Sequence, residues 1–145
     1  MKAHFGHVQW GRVLLTDVLV IILVVILNTV LLVLASYVWG PLPRTEMIYQ
    51  VTSWSTSVLA ILLTAGGAVW VARKVEREAP LHGFLVGLVA ALMLLIFVLP
   101  DVTNFFQGAY RGRLDLLVRA LGTFVLMVAA GWLGGVLGSR GREKS

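Results

Sequence analysis

Four long apolar runs leave this chain few ways to fold. The first goes from Val13 to Val38 and is broken only by Thr16, Asp17, Asn28, Thr29 and Ser36. The others cover roughly residues 51–71, 83–99 (ending at Pro100) and 114–138. Each is close to the ~20 residues that a helix needs to cross a hydrocarbon core of about 30 Å. The runs are too long for strands, and they lack the alternation of a membrane barrel. The first would make a helix of about 39 Å, so it must tilt or protrude. Only 13% of the 145 residues are charged and 59% are hydrophobic. An ordinary soluble domain has about 25% charged residues, so too few are present here to cover a soluble surface. A soluble enzyme domain, a disordered chain and a fibrous repeat are excluded. The expected fold is all-α: one domain, a polytopic membrane four-helix bundle with helices over about 13–38, 51–71, 83–99 and 114–138.

Val33-Leu34-Ala35 has the texture of a signal-peptide cleavage site. The apolar core of such a peptide is only about 7–15 residues, so the first helix is expected to be retained.

Charge sets the orientation. Lys2, Arg12, Arg73, Lys74, Arg77, Arg140, Arg142 and Lys144 fall on one side, and Arg44, Arg111 and Arg113 on the other. The excess of basic residues places both termini in the cytoplasm. Tyr37, Trp39, Tyr49, Trp54 and Tyr110 mark the outer boundary, and Trp10 and Trp70 the inner one, as interfacial aromatic rings do. The net charge of +5 has its source at segment ends, which is the pattern of topogenesis and anionic-lipid attraction rather than of nucleic-acid binding. There are no cysteines, so disulfides, thiol catalysis and cysteine-based metal sites are excluded.

Lipid tails are as apolar as leucine, so helix association depends on close backbone approach and interhelical hydrogen bonds. Small residues gather accordingly. Ser53, Ser57, Ala60, Thr64, Gly67 and Ala68 share one face of the second helix. Gly83, Gly87, Ala90 and Ala91 share one face of the third, and Gly131, Gly134, Gly135 and Gly138 one of the fourth. These are packing surfaces by expectation. Gly66-Gly67 and Gly134-Gly135 each stand about two turns before an arginine, a faint repeat that would relate two hairpins by an axis along the membrane normal.

The intramembrane polar candidates are Asp17, Asn28, Thr64, Asp115 and Arg119. Asp17 lies about four residues into the first predicted helix, and Asn28, eleven residues on, is about 20° from the same face. An intramembrane carboxylate is a candidate for proton coupling. The structural expectation is that Asp17 sits near the headgroups and pairs with Arg12, Arg73 or Lys74. Asn28 is expected to join helices, with Thr64 as partner at similar depth. Asp115 and Arg119 have favourable i,i+4 spacing for neutralisation. Phe105, Phe106, Tyr110, Arg111 and Arg113 belong to an outer segment, residues 101–114, expected at the interface, and His82 is expected there at the inner side. His4 and His7 lack a third ligand, so no metal is expected. No nucleophile elbow, P-loop, dinucleotide fingerprint or HExxH is present. Ser53, Ser55 and Ser57 have no adjacent histidine. Neither a cofactor nor catalysis is expected.

The stretch Gly66-Gly67-Ala68 through Ala72-Arg73-Lys74, followed by Leu81-His82-Gly83-Phe84-Leu85-Val86-Gly87, resembles small bacterial four-transmembrane-helix membrane proteins of unknown function. The resemblance implies a four-helix fold in a bacterial inner membrane and nothing catalytic. Small multidrug transporters share the helix count and a first-helix carboxylate, but their other motifs are absent here. The expected role is an accessory, scaffolding or regulatory membrane subunit, with the bilayer and a second copy or another membrane protein as partners. The alternative is a small ion- or proton-coupled transporter or channel using Asp17 and Asn28. The orientation is testable: reporters fused after Thr45 and Gly108 should read out as external, and those after Glu78 and Ser145 as cytoplasmic. A cytoplasmic signal at Gly108 would refute it.

Overall fold

The computed structural model describes the backbone of residues 9–39, 46–75, 78–106 and 114–142, and within these the side chains of 9–35, 37, 54–75, 78–96 and 118–140. Among the described residues there are four helices: α1 (Trp10–Trp39), α2 (Glu46–Lys74), α3 (Ala79–Phe106) and α4 (Leu114–Arg142). All four are long and apolar enough to span a membrane, and the protein is an integral, multi-pass, all-α four-helix bundle. The end at which α1 and α3 begin and α2 and α4 finish is here called the basal end.

Helix α3 does not stop at Pro100 but runs on to Phe106. A proline deletes one backbone donor, here the partner of the Ile96 carbonyl, while the other bonds of the turn survive. Asp101 to Phe106 therefore prolong α3, and residues 107–113 lie outside the described residues.

The core is built from absent side chains. Helices α3 and α4 run antiparallel with glycine against glycine. A β-carbon on Gly83 would lie 2.5 Å from the Gly131 carbonyl oxygen, and one on Gly87 2.6 Å from the Met127 carbonyl oxygen. Reciprocally, a β-carbon on Gly131 would lie 2.6 Å from Gly87 Cα, and one on Gly135 2.8 Å from the Ala79 carbonyl oxygen. Gly134 and Gly138 perform the same service toward α2, against Ala65 and Ala68 and against Val69 and Ala72 respectively. Helix α4 thus lies in the groove between α2 and α3 with backbone touching backbone.

Helix α1 occupies the opposite groove of the same pair, and among the described residues its backbone does not come close to that of α4. Only 11% of its spanning window is buried, against 44% for α3. Leucine, isoleucine and valine cover its outer face, as suits a surface solvated by hydrocarbon. Two clusters hold it. Near the basal end Val13 meets Ala68, Val71, Ala72 and Val86. One step further along, Val20 and Val24 meet Ala60, Ala90, Ala91 and Met127. Gly67 admits α1 closely, since a β-carbon there would lie 2.7 Å from Thr16 Cγ2.

The hairpins resemble one another only in part. Gly67 faces its hairpin partner α1, and Gly135 faces its own, α3. Gly134 also packs on α2, whereas a β-carbon on the equivalent Gly66 would meet nothing within 4 Å. A true two-fold would bury both.

This packing makes a directional prediction. Gly87→Leu and Gly135→Leu should each destabilise the bundle in detergent by about 1–3 kcal/mol or more, because backbone cannot yield as a side chain can. Gly122→Leu, at a position with open space around it, should leave thermal stability unchanged. Equal melting temperatures for all three variants would refute the interface.

Candidate functional site

The polar residues of α1 meet very different surroundings. Because α1 begins at Trp10, Asp17 stands seven residues inside it, about 10 Å along its axis rather than four residues in. Asp17 is wholly buried, and neither carboxylate oxygen has a hydrogen-bond partner. The expected ion pairs do not form. Arg12 is five residues from Asp17, about 140° around the helix, so its side chain points elsewhere. It donates from Nη1 to the Lys74 carbonyl oxygen and so caps the C-terminus of α2. Arg73 and Lys74 are exposed at the end of α2. Gly67, the residue packed against Thr16, lies six residues before Arg73, about 9 Å away along the axis.

Thr64 shares the condition of Asp17. It is fully buried and its hydroxyl has no partner. The threonines of α1 satisfy theirs within the helix, Thr16 on the Arg12 carbonyl at 2.7 Å and Thr29 on the Val25 carbonyl at 2.8 Å.

Asn28 does join helices, but to a different residue from the one expected. Thr56 Oγ1 donates to Asn28 Oδ1 at 2.7 Å. The antiparallel register explains the change: Thr16 lies level with Gly67 and Asn28 with Thr56. Thr64 is two turns away from that level, about 12 Å. Ser57, on the same helix, is half-buried.

Asn28, Thr29 and Thr56 line one end of a cavity of about 220 Å³. The rest of its lining is apolar: Val20, Ile21, Val24 and Val25 from α1, Ala60 from α2, Ala90 and Leu94 from α3, and Met127 from α4. Asp17 and Thr64 do not line it. The structure therefore does not bring Asp17 and Asn28 together in one polar space. Arg119 is half-buried on α4, while the Asp115 side chain, and with it their pairing, lies outside the described residues, as do His4 and His7.

His82 is enclosed by protein at the basal end. It is 1% exposed, and both ring nitrogens are engaged. The Gln9 amide donates to Nε2 at 3.1 Å, and Nδ1 stands 3.0 Å from the Glu78 carbonyl oxygen. A carbonyl can only accept and an amide N–H can only donate, so Nδ1 carries the proton and the ring is the neutral tautomer. Glu78 adopts a left-handed backbone, φ 55°, in the short α2–α3 connection that turns this carbonyl toward the ring. With Arg12 on Lys74, this contact pins the basal end of α1. Sequence reasoning missed Gln9, Thr56 and the buried role of His82. The Glu78 contact is local, four residues back along the chain, but the Gln9 contact spans 73 positions and leaves no local trace. No group of three or more potential metal ligands exists among the described residues.

No protein-family model, curated protein or solved structure matches this chain.

An orphaned buried carboxyl costs free energy that an apolar residue of similar size would not. Asp17→Val should therefore raise thermal stability, by about 1–3 kcal/mol, and Asp17→Asn, which exchanges one unpartnered buried polar group for another, should stay within about 1 kcal/mol of wild type. A loss above about 3 kcal/mol in Asp17→Val would mean that the carboxyl holds a partner essential to the fold.

Proposed function

We propose that this protein is a non-catalytic accessory, scaffolding or regulatory subunit of a cell membrane, with both termini cytoplasmic, that acts through association of its helices. One observation carries the reading: the two polar groups that a translocation path would need are separated. Asp17 is sealed inside the bundle, and Asn28 lies in a cavity whose lining toward the basal end is Val20, Val24, Ala60 and Ala90. An ion or proton crossing a bilayer moves between successive polar partners, and a valine–alanine wall supplies none. The broad apolar faces of α1 and α4 offer surface to lipid and to partner helices alike.

A second reading, a small proton-coupled transporter using Asp17 and Asn28, draws support from the absence of any hydrogen-bond partner for the Asp17 carboxyl. Intramembrane carboxyls of that kind serve as relays in pumps and transporters. Purified protein in liposomes, with an imposed pH gradient and a pH-sensitive dye inside, separates the two. The expected result is a flux no greater than that of protein-free vesicles. Flux above that level overturns the subunit reading, and its loss in Asp17→Asn would install the transporter in its place.

A further inference from the structure

We propose that the cavity between α1 and α3 is a binding site for a neutral single-chain amphiphile drawn laterally from the bilayer, with its tail on the apolar floor and an acceptor oxygen on the Asn28 amide. The shape of the site supports this. Val25 and Thr29 are exposed, and Ile21 and Leu94 half-buried, whereas Val20, Val24, Ala60, Ala90 and Met127 are buried. The first group forms a mouth between α1 and α3, open to the side where hydrocarbon would lie, and the second forms the floor. The Gln9–His82 contact joins these two helices at the basal end, so the opening lies toward the other end. Along α1 the lining runs from Val20 to Thr29, nine residues or about 14 Å, which is the proportion of an extended chain rather than of a compact solute.

The volume of about 220 Å³ also speaks for an occupant. An apolar cavity of about 150 Å³ stays dry and takes up apolar molecules. Alanine at positions 60 and 90 makes the room, since a larger side chain at either would close it.

The polar end sets the head group. Thr56 occupies the Asn28 amide oxygen, and no other hydrogen bond engages that amide among the described residues, so its two N–H donors are free. Free donors select an acceptor: an ester, ketone or protonated carboxyl oxygen. No ionisable side chain lines the cavity, so a charged head would be desolvated without compensation, and a neutral one is selected.

The full-length protein in phosphatidylcholine nanodiscs, labelled with a medium-chain fatty-acid methyl ester carrying a diazirine at its tail, tests the site. Mass spectrometry should locate the label at Val20, Val24 and Met127, and unlabelled ester should compete it away. Labelling there should fall about tenfold in Ala90→Leu, whose branched chain occupies the floor. Ala60→Leu fills the same floor from α2 and gives the same readout if Ala90→Leu does not assemble. Asn28→Val should weaken competition by the ester about fivefold, the share of one hydrogen bond, and leave competition by an alkane unchanged. Label spread evenly over outward residues such as Leu19 and Ile26, and indifferent to both floor variants, would mean bulk lipid only and overturn the proposal. Ester and alkane competing equally in the wild type would overturn the assignment of the head group.

Discussion

The direct contact of backbones at Gly83, Gly87, Gly131 and Gly135 governs the rest of this bundle. In a bilayer, apolar side chains gain little by leaving lipid for protein. Attraction between helices then comes from dispersion at short range, and dispersion falls steeply with every fraction of an ångström of separation. Four positions without side chains let α3 and α4 approach until a β-carbon would stand 2.5–2.8 Å from a facing backbone oxygen. Gly134 and Gly138 extend the same logic to α2. Helix α4 therefore packs on α3 and on α2 with no more than an alanine β-carbon between the facing backbones at these positions.

Helix α1 follows from what that arrangement leaves over. It is the most apolar of the four and has one glycine contact with its neighbours, at Gly67. Hydrogen bonds attach it at the basal end, where Gln9 meets His82 and Arg12 meets the Lys74 carbonyl, and again to α2 further along, where Thr56 meets Asn28. Beyond, valines from α1 rest on alanines of α2 and α3, and Met127 of α4 reaches between those helices to join them. Toward α3 the hydrogen-bond attachment among the described residues is at the basal end, so the floor of small residues leaves space further along, and the cavity beside Asn28 is that space. The same geometry seals Asp17. It lies between Val13 and Val20 in sequence, on the face of α1 turned toward the bundle, and beneath the level that its basic neighbours reach.

Much of the architecture was legible in the residues. Helix number and class follow from apolar runs of spanning length, which no soluble or barrel fold accommodates. The small faces of α2, α3 and α4 stand at helical spacing, and the structure brings the glycines of α3 and α4 face to face. Helix ends were less legible. Hydropathy marks the boundary of the hydrocarbon, not that of the hydrogen-bond ladder, so α1 starts before Val13 and α3 passes through Pro100.

The sequence by itself determined that four helices cross a membrane and which of their faces could approach closely, because hydropathy and side-chain size are properties of single positions. Only the tertiary structure decided which polar groups find partners. Asn28 pairs with Thr56 and not Thr64 because the register between two antiparallel helices is set by where Gly67 meets Thr16. Arg12 leaves Asp17 because a helix turns them about 140° apart while the end of α2 presents an open carbonyl. His82 is buried because Gln9, 73 positions away, supplies the donor that its ring requires. Pairing depends on the relative depth and rotation of whole helices, and no local pattern of residues contains that information.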